Sequence, residues 1–475
     1  MPKQYLVLDL ICRDFLSDRA AKDPTYQFQP VILGSDNPQC RIPEVQSLVA
    51  SFNLYQQLLA GIFSAIVAPH LGALSDRVGR KKVMVAASLG GFMMEVITIM
   101  VGKYPEQVSV YWILLGSFFD GICGSFTTGM ALAFAYATDC TVPERRATAF
   151  GYFHGTLFTG IGFGPVVAGA LMKLAGNIMI AFYFALGCHV FFITFILFLL
   201  PESLSKDRQY LAREKFNEQL SRLSGQSWSQ IIKSYNPFEP LWVLRPRGPG
   251  SSKDLRRNLV VLASIDTMMF GVAMGTMPII LIYVQYRFGW NEINSSWYLS
   301  TVNICRVLGL VVILPLLTRI FRGKLTGPSA GHRGSDKLDL GIIRGSVVFD
   351  LIGYIGYAFA PTGAFMVLSG VIASLGGIGS PTLQSSMTKH LPAELTGQIL
   401  GASALLHALA RVVSPVIFNL IYKKTVGMYA GFVFVCLGSV FLIVFVLSWF
   451  LKTGIYLKED SLDDTLAQDD THEES

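Results

Sequence analysis

Charge is scarce in this chain. Asp, Glu, Lys and Arg make up 15% of its 475 residues, where soluble globular proteins carry about 25%. No nucleic-acid partner is therefore expected. The seven cysteines, at 12, 40, 123, 140, 188, 305 and 436, form no CxxC pair and no Cys/His cluster, so neither a zinc site nor any other metal centre is expected. A GxxxxGK[ST] phosphate loop is missing, which argues against an ATP-driven pump. So are a GxSxG elbow and an HExxH helix, and neither catalysis nor a cofactor is expected. Residues 1–11 are short and flanked by acids, unlike a cleavable signal peptide. Period-two alternation of the outer-membrane barrel kind is not evident.

What the chain has in quantity is apolar length. Hydrophobic residues make up 52% of it, and its mean hydropathy is +0.49. Each of its long apolar runs is able to cross about 30 Å of hydrocarbon as a helix. Lipid offers no partner to free backbone groups, so helices are the expected spanning form. Spans are read near 48–74, 83–101, 109–137, 147–172, 178–200, 259–286, 296–318, 345–360, 363–388, 396–422 and 428–451. Tyr5–Cys12 look like the last two turns of a twelfth, which would precede the others and be truncated. The organisation expected is a helical bundle over 1–200 with its first helix incomplete, a linker over 201–258, a second bundle over 259–452 and an acidic, disordered tail over 453–475. Leu211, Phe216, Leu220 and Leu223 among Lys and Arg would let the linker's opening part lie on a membrane surface.

Basic residues set the orientation. In a twelve-helix numbering, the loops after helices 2, 4, 6, 8 and 10 hold 24 Lys and Arg, against about nine in the opposite loops. That bias marks their side as cytoplasmic. Trp112, Trp290, Trp297 and Trp449 fall at span ends, as interfacial aromatics do. Cys12 and Cys40 share one outer loop, where a disulfide can form. An internal repeat supports two related halves: Gly151 and Pro165 recur as Gly401 and Pro415, 250 residues on.

Three motifs carry mechanism. Gly72-Ala-Leu-Ser-Asp76-Arg77-Val-Gly79-Arg80-Lys81-Lys82 resembles the signature loop between helices 2 and 3 of the major facilitator superfamily. Gly79 permits the tight turn, Gly72 permits close approach of a neighbouring helix, and the basic residues hold the loop in the cytoplasm. The resemblance implies that Asp76 pairs with basic residues and with a helix N-terminus of the other half, latching one conformation. Gly160-Ile-Gly-Phe-Gly164-Pro165-Val-Val-Ala168-Gly169 resembles the fifth-helix motif of proton-coupled antiporters, with Ala168 in place of one glycine. Pro43-Glu44-Val45-Gln46-Ser47-Leu48, Leu54-Tyr55, Ala87-Ser88-Leu89-Gly90 and Pro201-Glu202-Ser203 resemble fungal relatives of the proton-coupled folate transporter family. Here Ser117, His154 and Gln384 stand near positions where the folate carriers hold charged residues, so folate is not the implied substrate.

The fold implied is an all-α membrane protein of the major facilitator type, with two six-helix bundles related by a pseudo-two-fold axis and eleven spans in this chain. Ionisable residues within apolar spans are costly and are functional candidates. Asp120, His154, Arg306, His407 and Arg411 are the expected substrate or proton groups, with Asp120 and Arg306 facing a central cavity from opposite halves. Asp266 and Asp350 read as residues near helix ends, and Glu95 as part of a helix seam. The expected function is secondary active, proton-coupled transport of a small organic solute by a monomer in a lipid bilayer. The plasma membrane is the first expectation and a vacuolar or other endomembrane the second. From another class, a non-transporting membrane sensor or an inactive shortened carrier fits the incomplete first helix. Export is favoured by the fifth-helix motif and uptake by the folate-carrier resemblance.

Overall fold

Apolar runs must satisfy their backbone internally in lipid, and helices do so here. The computed structural model describes residues 2–23, 26–33, 37–40, 42–223, 239–246, 251–290, 292–322, 334–392 and 395–457. Of the tail expected over 453–475, all beyond 457 lies outside the described residues, as does much of the linker. Among the described residues the structure is helical, without strands. The helices are α1 (Pro2–Lys22), α2 (Pro43–Val78), α3 (Arg80–Lys103), α4 (Trp112–Cys140), α5 (Pro143–Ala175), α6 (Met179–Leu199), α7 (Lys253–Phe288), α8 (Trp297–Phe321), α9 (Lys337–Phe359), α10 (Gly363–Lys389), α11 (Thr396–Tyr429) and α12 (Phe432–Ser448).

Nine of these, among the described residues, are long and apolar enough to cross a membrane. They fall on nine of the eleven expected spans. The other two expected spans are α9 and α12. The first carries Lys337, Asp339, Arg344 and Asp350 along its length, and the second is 17 residues long. Helix α1 continues ten residues past Cys12, where the apolar run stops. That extension is charged, with Arg13, Asp14, Asp18, Arg19 and Lys22, and hydropathy alone does not register it. Its apolar part buries Leu6, Leu10 and Ile11 against Phe52, Ile97, Val101, Ile113 and Phe182. A Cys12–Cys40 disulfide, with Cα atoms 5.5 Å apart, ties α1 to the following loop. Asn37 adds a 2.9 Å hydrogen bond to Asp9 beside it.

A larger apolar cluster runs through α7, α9, α10, α11 and α12 and reaches Ala68, Phe134 and Phe150 of the first half. The repeat extends into the backbone. The long helices of α5 and α11 begin at Arg146 and Thr396, 250 residues apart, and hold Pro165 and Pro415 at the same spacing. In the linker, Lys206–Leu223 is a helix. Its Arg213 donates to the Arg77 carbonyl at 2.7 Å, and its Phe216 ring lies under the Arg77 guanidinium at 3.8 Å.

Candidate functional site: a latch and a central cavity

The turn between α2 and α3 is a single residue, Gly79, with φ +100°. Glycine alone enters this region without strain. Helix α3 therefore starts at once, and its first free N–H groups need acceptors. Glu202 supplies them, accepting from Arg80 N at 2.8 Å and Lys81 N at 3.2 Å. A carboxylate is favoured at this end of a helix. Ser203, next in the chain, donates to Asp139 at 3.1 Å.

Arg80 then turns inward. It is fully buried and lies 2.6 Å from Asp76 and 2.9 Å from Asp139, and it donates to Ser75 at 2.6 Å. Asp76 also accepts from the backbone N–H of Gly397 at 3.3 Å. Gly397 opens α11 in the second half, so this carboxylate touches both halves. Close approach makes the contact possible. A side-chain carbon at Gly72 would run into the Gly397 carbonyl and lie 3.1 Å from the Gly401 Cα. Nearby, Arg146 of α5 donates across the halves to the Thr388 carbonyl at 3.2 Å. The second half has its own buried pair at this end, Lys389 with Asp339 at 2.6 Å.

The opposite ends behave differently. Along α5, Gly151 and Gly155 pack on Leu310, Val311 and Leu314 of α8. Farther along the same helix, Gly160, Gly164 and Gly169 have no neighbouring group within 4 Å of where a side chain would begin, and Val166, next to Pro165, is 62% exposed. The halves are thus joined at the basic end, while farther along α5 the contact with α8 continues at Gly162, where a side chain would begin 3.6 Å from the Asn303 Cβ, and Gly160, Gly164 and Gly169 face open space. Gly160→Leu is accordingly expected to leave expression and monodispersity unchanged, because the site has room. If α5 must close on α8 during a cycle, turnover falls at least tenfold. Transport rate and surface level, measured together, check this. An unchanged rate removes any closing role from the motif.

Between the halves lies a cavity of about 260 Å³. His154, Arg306 and His407 line it, and so do Asp350 and Gln384. His154 stacks on Phe134, with ring centroids 5.2 Å apart. One ring nitrogen is 3.1 Å from the Phe150 carbonyl, and the other is 3.4 Å from the Ser380 hydroxyl of the second half. His407 stacks on Phe270 at 4.2 Å and lies 2.9 Å from Asp266, which also accepts from Ser403 at 2.9 Å. Arg306 sits over the ring of Phe158 at 4.8 Å, a cation–π contact between halves. Immediately after it, α8 widens into a π-helical turn, Gly309–Ile313, a feature frequent at functional sites.

Two expected cavity residues stand elsewhere. Asp120 does not face Arg306 and does not line the cavity. It packs against α3, its Cα 3.1 Å from where a side chain on Gly90 would begin, and accepts from Ser125 at 2.6 Å. The cause is local: Gly124, at φ +91°, breaks α4 and brings Ser125 back over Asp120. Arg411 donates to the same Ser125 at 3.3 Å, so Arg411, not Arg306, approaches Asp120 from the other half. Lys3 interacts electrostatically with both Asp120 and Glu95. Conversely, Asp350 lines the cavity and Asp266 braces His407. Both read as end residues because the expected spans began at 345 and 259. Helices α9 and α7 begin earlier, at Lys337 and Lys253, which places both aspartates deeper. Among the described residues, no group of three His, Cys, Asp or Glu is placed to hold a metal ion.

Residues 43–415 match the family model for the Major Facilitator Superfamily. The chain is 31% identical over 400 residues to the MFS-type transporter avaJ of Aspergillus versicolor, covering 83% of this chain and 75% of that one. It is 24% identical to the lysosomal proton-coupled steroid conjugate and bile acid symporter SLC46A3 of Gallus gallus, covering 86% and 81% respectively. Among solved structures, the human organic anion transporter MFSD10 (TETRAN) superposes with a TM-score of 0.67 at 16% identity, over 94% of this chain and 97% of that one.

Proposed function

This chain belongs to the major facilitator superfamily of transporters, and from that premise we propose that it moves a small organic solute across a membrane by proton-coupled, secondary active transport. The observation that carries the reading is the cavity lined from both halves, with the halves latched together at the basic end. Such a cavity has alternating access available to it: rocking of the halves about the midplane exposes it to each side in turn. In this reading residues 1–200 and 259–452 are the rocking bundles, 201–258 is their cytoplasmic linker, and the latch end is cytoplasmic. Proton coupling draws support from the description of the chicken relative as a proton-coupled symporter and from ionisable groups in the cavity wall. A monomer in the plasma membrane completes the proposal.

The test is uptake into proteoliposomes reconstituted with the full chain, screened over organic solutes with and without an imposed proton gradient. A gradient-dependent flux is expected for at least one solute. No flux for any solute, in either direction, sinks the proposal. Asp76→Asn refines it. The asparagine keeps an acceptor for the Gly397 N–H but gives up the charge that faces Arg80, so the latch weakens. Turnover is expected to change at least threefold at near-normal surface level. An unchanged rate rules the latch role out.

A further inference from the structure

We propose that the acidic segment 458–475 docks on the basic residues at the latch end of the first half, tying the two halves together and slowing the step that parts them. For that last effect the proposal rests on the transport reading above; the docking itself does not.

The root of the segment is fixed. After α12 the chain turns back across the second half. Leu451 is buried, and the backbone of Lys452 exchanges two hydrogen bonds with the side-chain amide of Asn258 on α7, at 2.7 and 3.1 Å. Gly454, at φ +72°, makes a turn that other residues enter only with strain. Its N–H donates to the Ser335 carbonyl at 3.0 Å, and that of Leu457 donates to the His390 carbonyl at 2.9 Å. A side-chain carbon at Gly334 would strike the Ile455 carbonyl oxygen, so the two stretches of chain lie in direct contact. Residues 451–457 thus strap together the first turns of α7, the chain entering α9 and the end of α10.

That end of α10 adjoins the first half. Two residues before His390, the Thr388 carbonyl accepts from Arg146 of α5. Arg208 of the linker helix is near enough to Arg146 to repel it. The same helix rests on Arg77 of the signature loop through Arg213 and Phe216. A continuous path of contacts therefore leads from Leu457 to the basic end of the first half. Lys82, Arg145, Lys206, Arg208 and Arg213 are exposed there, and Lys81 is half-buried. Among the described residues, none of these six closes an ion pair with a carboxylate. Together with Arg77 and Arg146 they outnumber the acids interleaved with them, Glu144, Glu202, Asp207 and Glu214. Glu202, moreover, is taken up by the N–H groups of α3.

The balancing charge lies on the segment that leaves the strap. Residues 458–475 hold eight Asp and Glu against one Lys, and blocks of like charge commonly serve as interaction tails. Eighteen residues span at most about 60 Å, enough to cross from the strap to these basic groups. The tether makes docking intramolecular, at an effective concentration on the order of millimolar. Single exposed ion pairs are weak, so their number and the tether hold the segment, and salt releases it. An anionic leaflet is the competing partner for a basic surface; the position of the strap beside Thr388 favours the chain's own segment. Rooted in one half and docked on the other, the segment must let go before the halves part at this end.

The test is zero-length carbodiimide coupling of the full chain, one copy per nanodisc, followed by peptide mapping. The reagent activates a carboxylate, a lysine amine displaces it to form an amide, and the carbodiimide leaves as its urea. In phosphatidylcholine at low salt, an amide is expected between a carboxylate of 458–475 and Lys81, Lys82 or Lys206. Raising the salt to about 0.5 M should cut its yield at least fivefold, and replacing part of the lipid by phosphatidylglycerol should leave it in place. No such amide, one indifferent to salt, or one lost in phosphatidylglycerol, which would give the basic residues to lipid, overturns the proposal. None of this needs a variant to fold. In proteoliposomes, converting the eight acids of the segment to their amides should raise turnover at least threefold at equal protein level, while a shuffled segment of the same composition keeps the parent rate. Unchanged or slower turnover in the amide variant overturns the braking effect. Coupling without flux of any solute sinks the transport reading alone; flux without coupling sinks this one alone.

Discussion

Arg80→Met is expected to destabilise the protein by about 3–5 kcal/mol, the range for removing one partner of a buried ion pair. Its guanidinium is fully buried between two carboxylates, Asp76 at 2.6 Å and Asp139 at 2.9 Å, with Ser75 as a further acceptor. Methionine fills much of the same volume but offers no charge. Two buried carboxylates would face each other without a cation, and one would have to take a proton or draw in water. Arg80→Lys keeps the charge but loses the fork that reaches Asp76, Asp139 and Ser75 together, so only partial rescue is expected. Asp76→Asn should be milder than either, because Asp139 continues to balance Arg80. The measurement is thermal or denaturant unfolding of the purified chain. A midpoint for Arg80→Met within error of the parent would mean that water already solvates this cluster.

The signature loop was legible in the sequence because its elements are neighbours along the chain. A one-residue turn, an aspartate three positions before it and an arginine one position after it define their geometry locally. The spans were legible for the same reason, since hydropathy is a sum over a window. What the sequence left hidden is the choice of partners between helices. Asp120 and Arg306 were both plausible cavity charges, but the break at Gly124 folds Ser125 back onto Asp120, and Ser125 is met by Arg411. No window of sequence contains that meeting. Asp350 reads as an end residue because hydropathy shows only the apolar part of α9. Its first two turns carry Lys337, Asp339 and Arg344, so the hydropathic reading started the helix eight residues late. Glu202 falls within a motif, but its place on the free N–H groups of α3 depends on a contact 122 residues away in sequence.

The internal repeat leads to a further expected result. Asp139 and Lys389 are 250 residues apart, the spacing that also relates Gly151 to Gly401 and Pro165 to Pro415. Each closes an ion pair to the start of a neighbouring helix: Asp139 to Arg80 on α3, and Lys389 to Asp339 on α9. The two halves thus use one position with opposite sign. His390, beside Lys389, adds no charge at neutral pH, since burial lowers its imidazole to about 4; it bonds instead to Asn258 of α7. Asp339→Asn can keep the 2.7 Å bond that joins Asp336 to the Asp339 backbone N–H, yet it takes the Asp339 charge away from the buried Lys389 ammonium. A loss of about 3–5 kcal/mol is therefore expected. The double change Asp339→Leu with Lys389→Met removes both charges and should fall near the parent, since replacing a buried pair by apolar groups is often neutral or better. Because this pair lies within one half, it travels with that half as a body. Turnover per folded molecule should stay within about twofold in the double variant, unlike Asp76→Asn, whose aspartate touches both halves. Unfolding midpoints and transport rates of the single and double variants decide the matter. If the double variant is as unstable as the single one, the pair holds the fold through more than its charges, and the parallel with Arg80–Asp139 is only one of position.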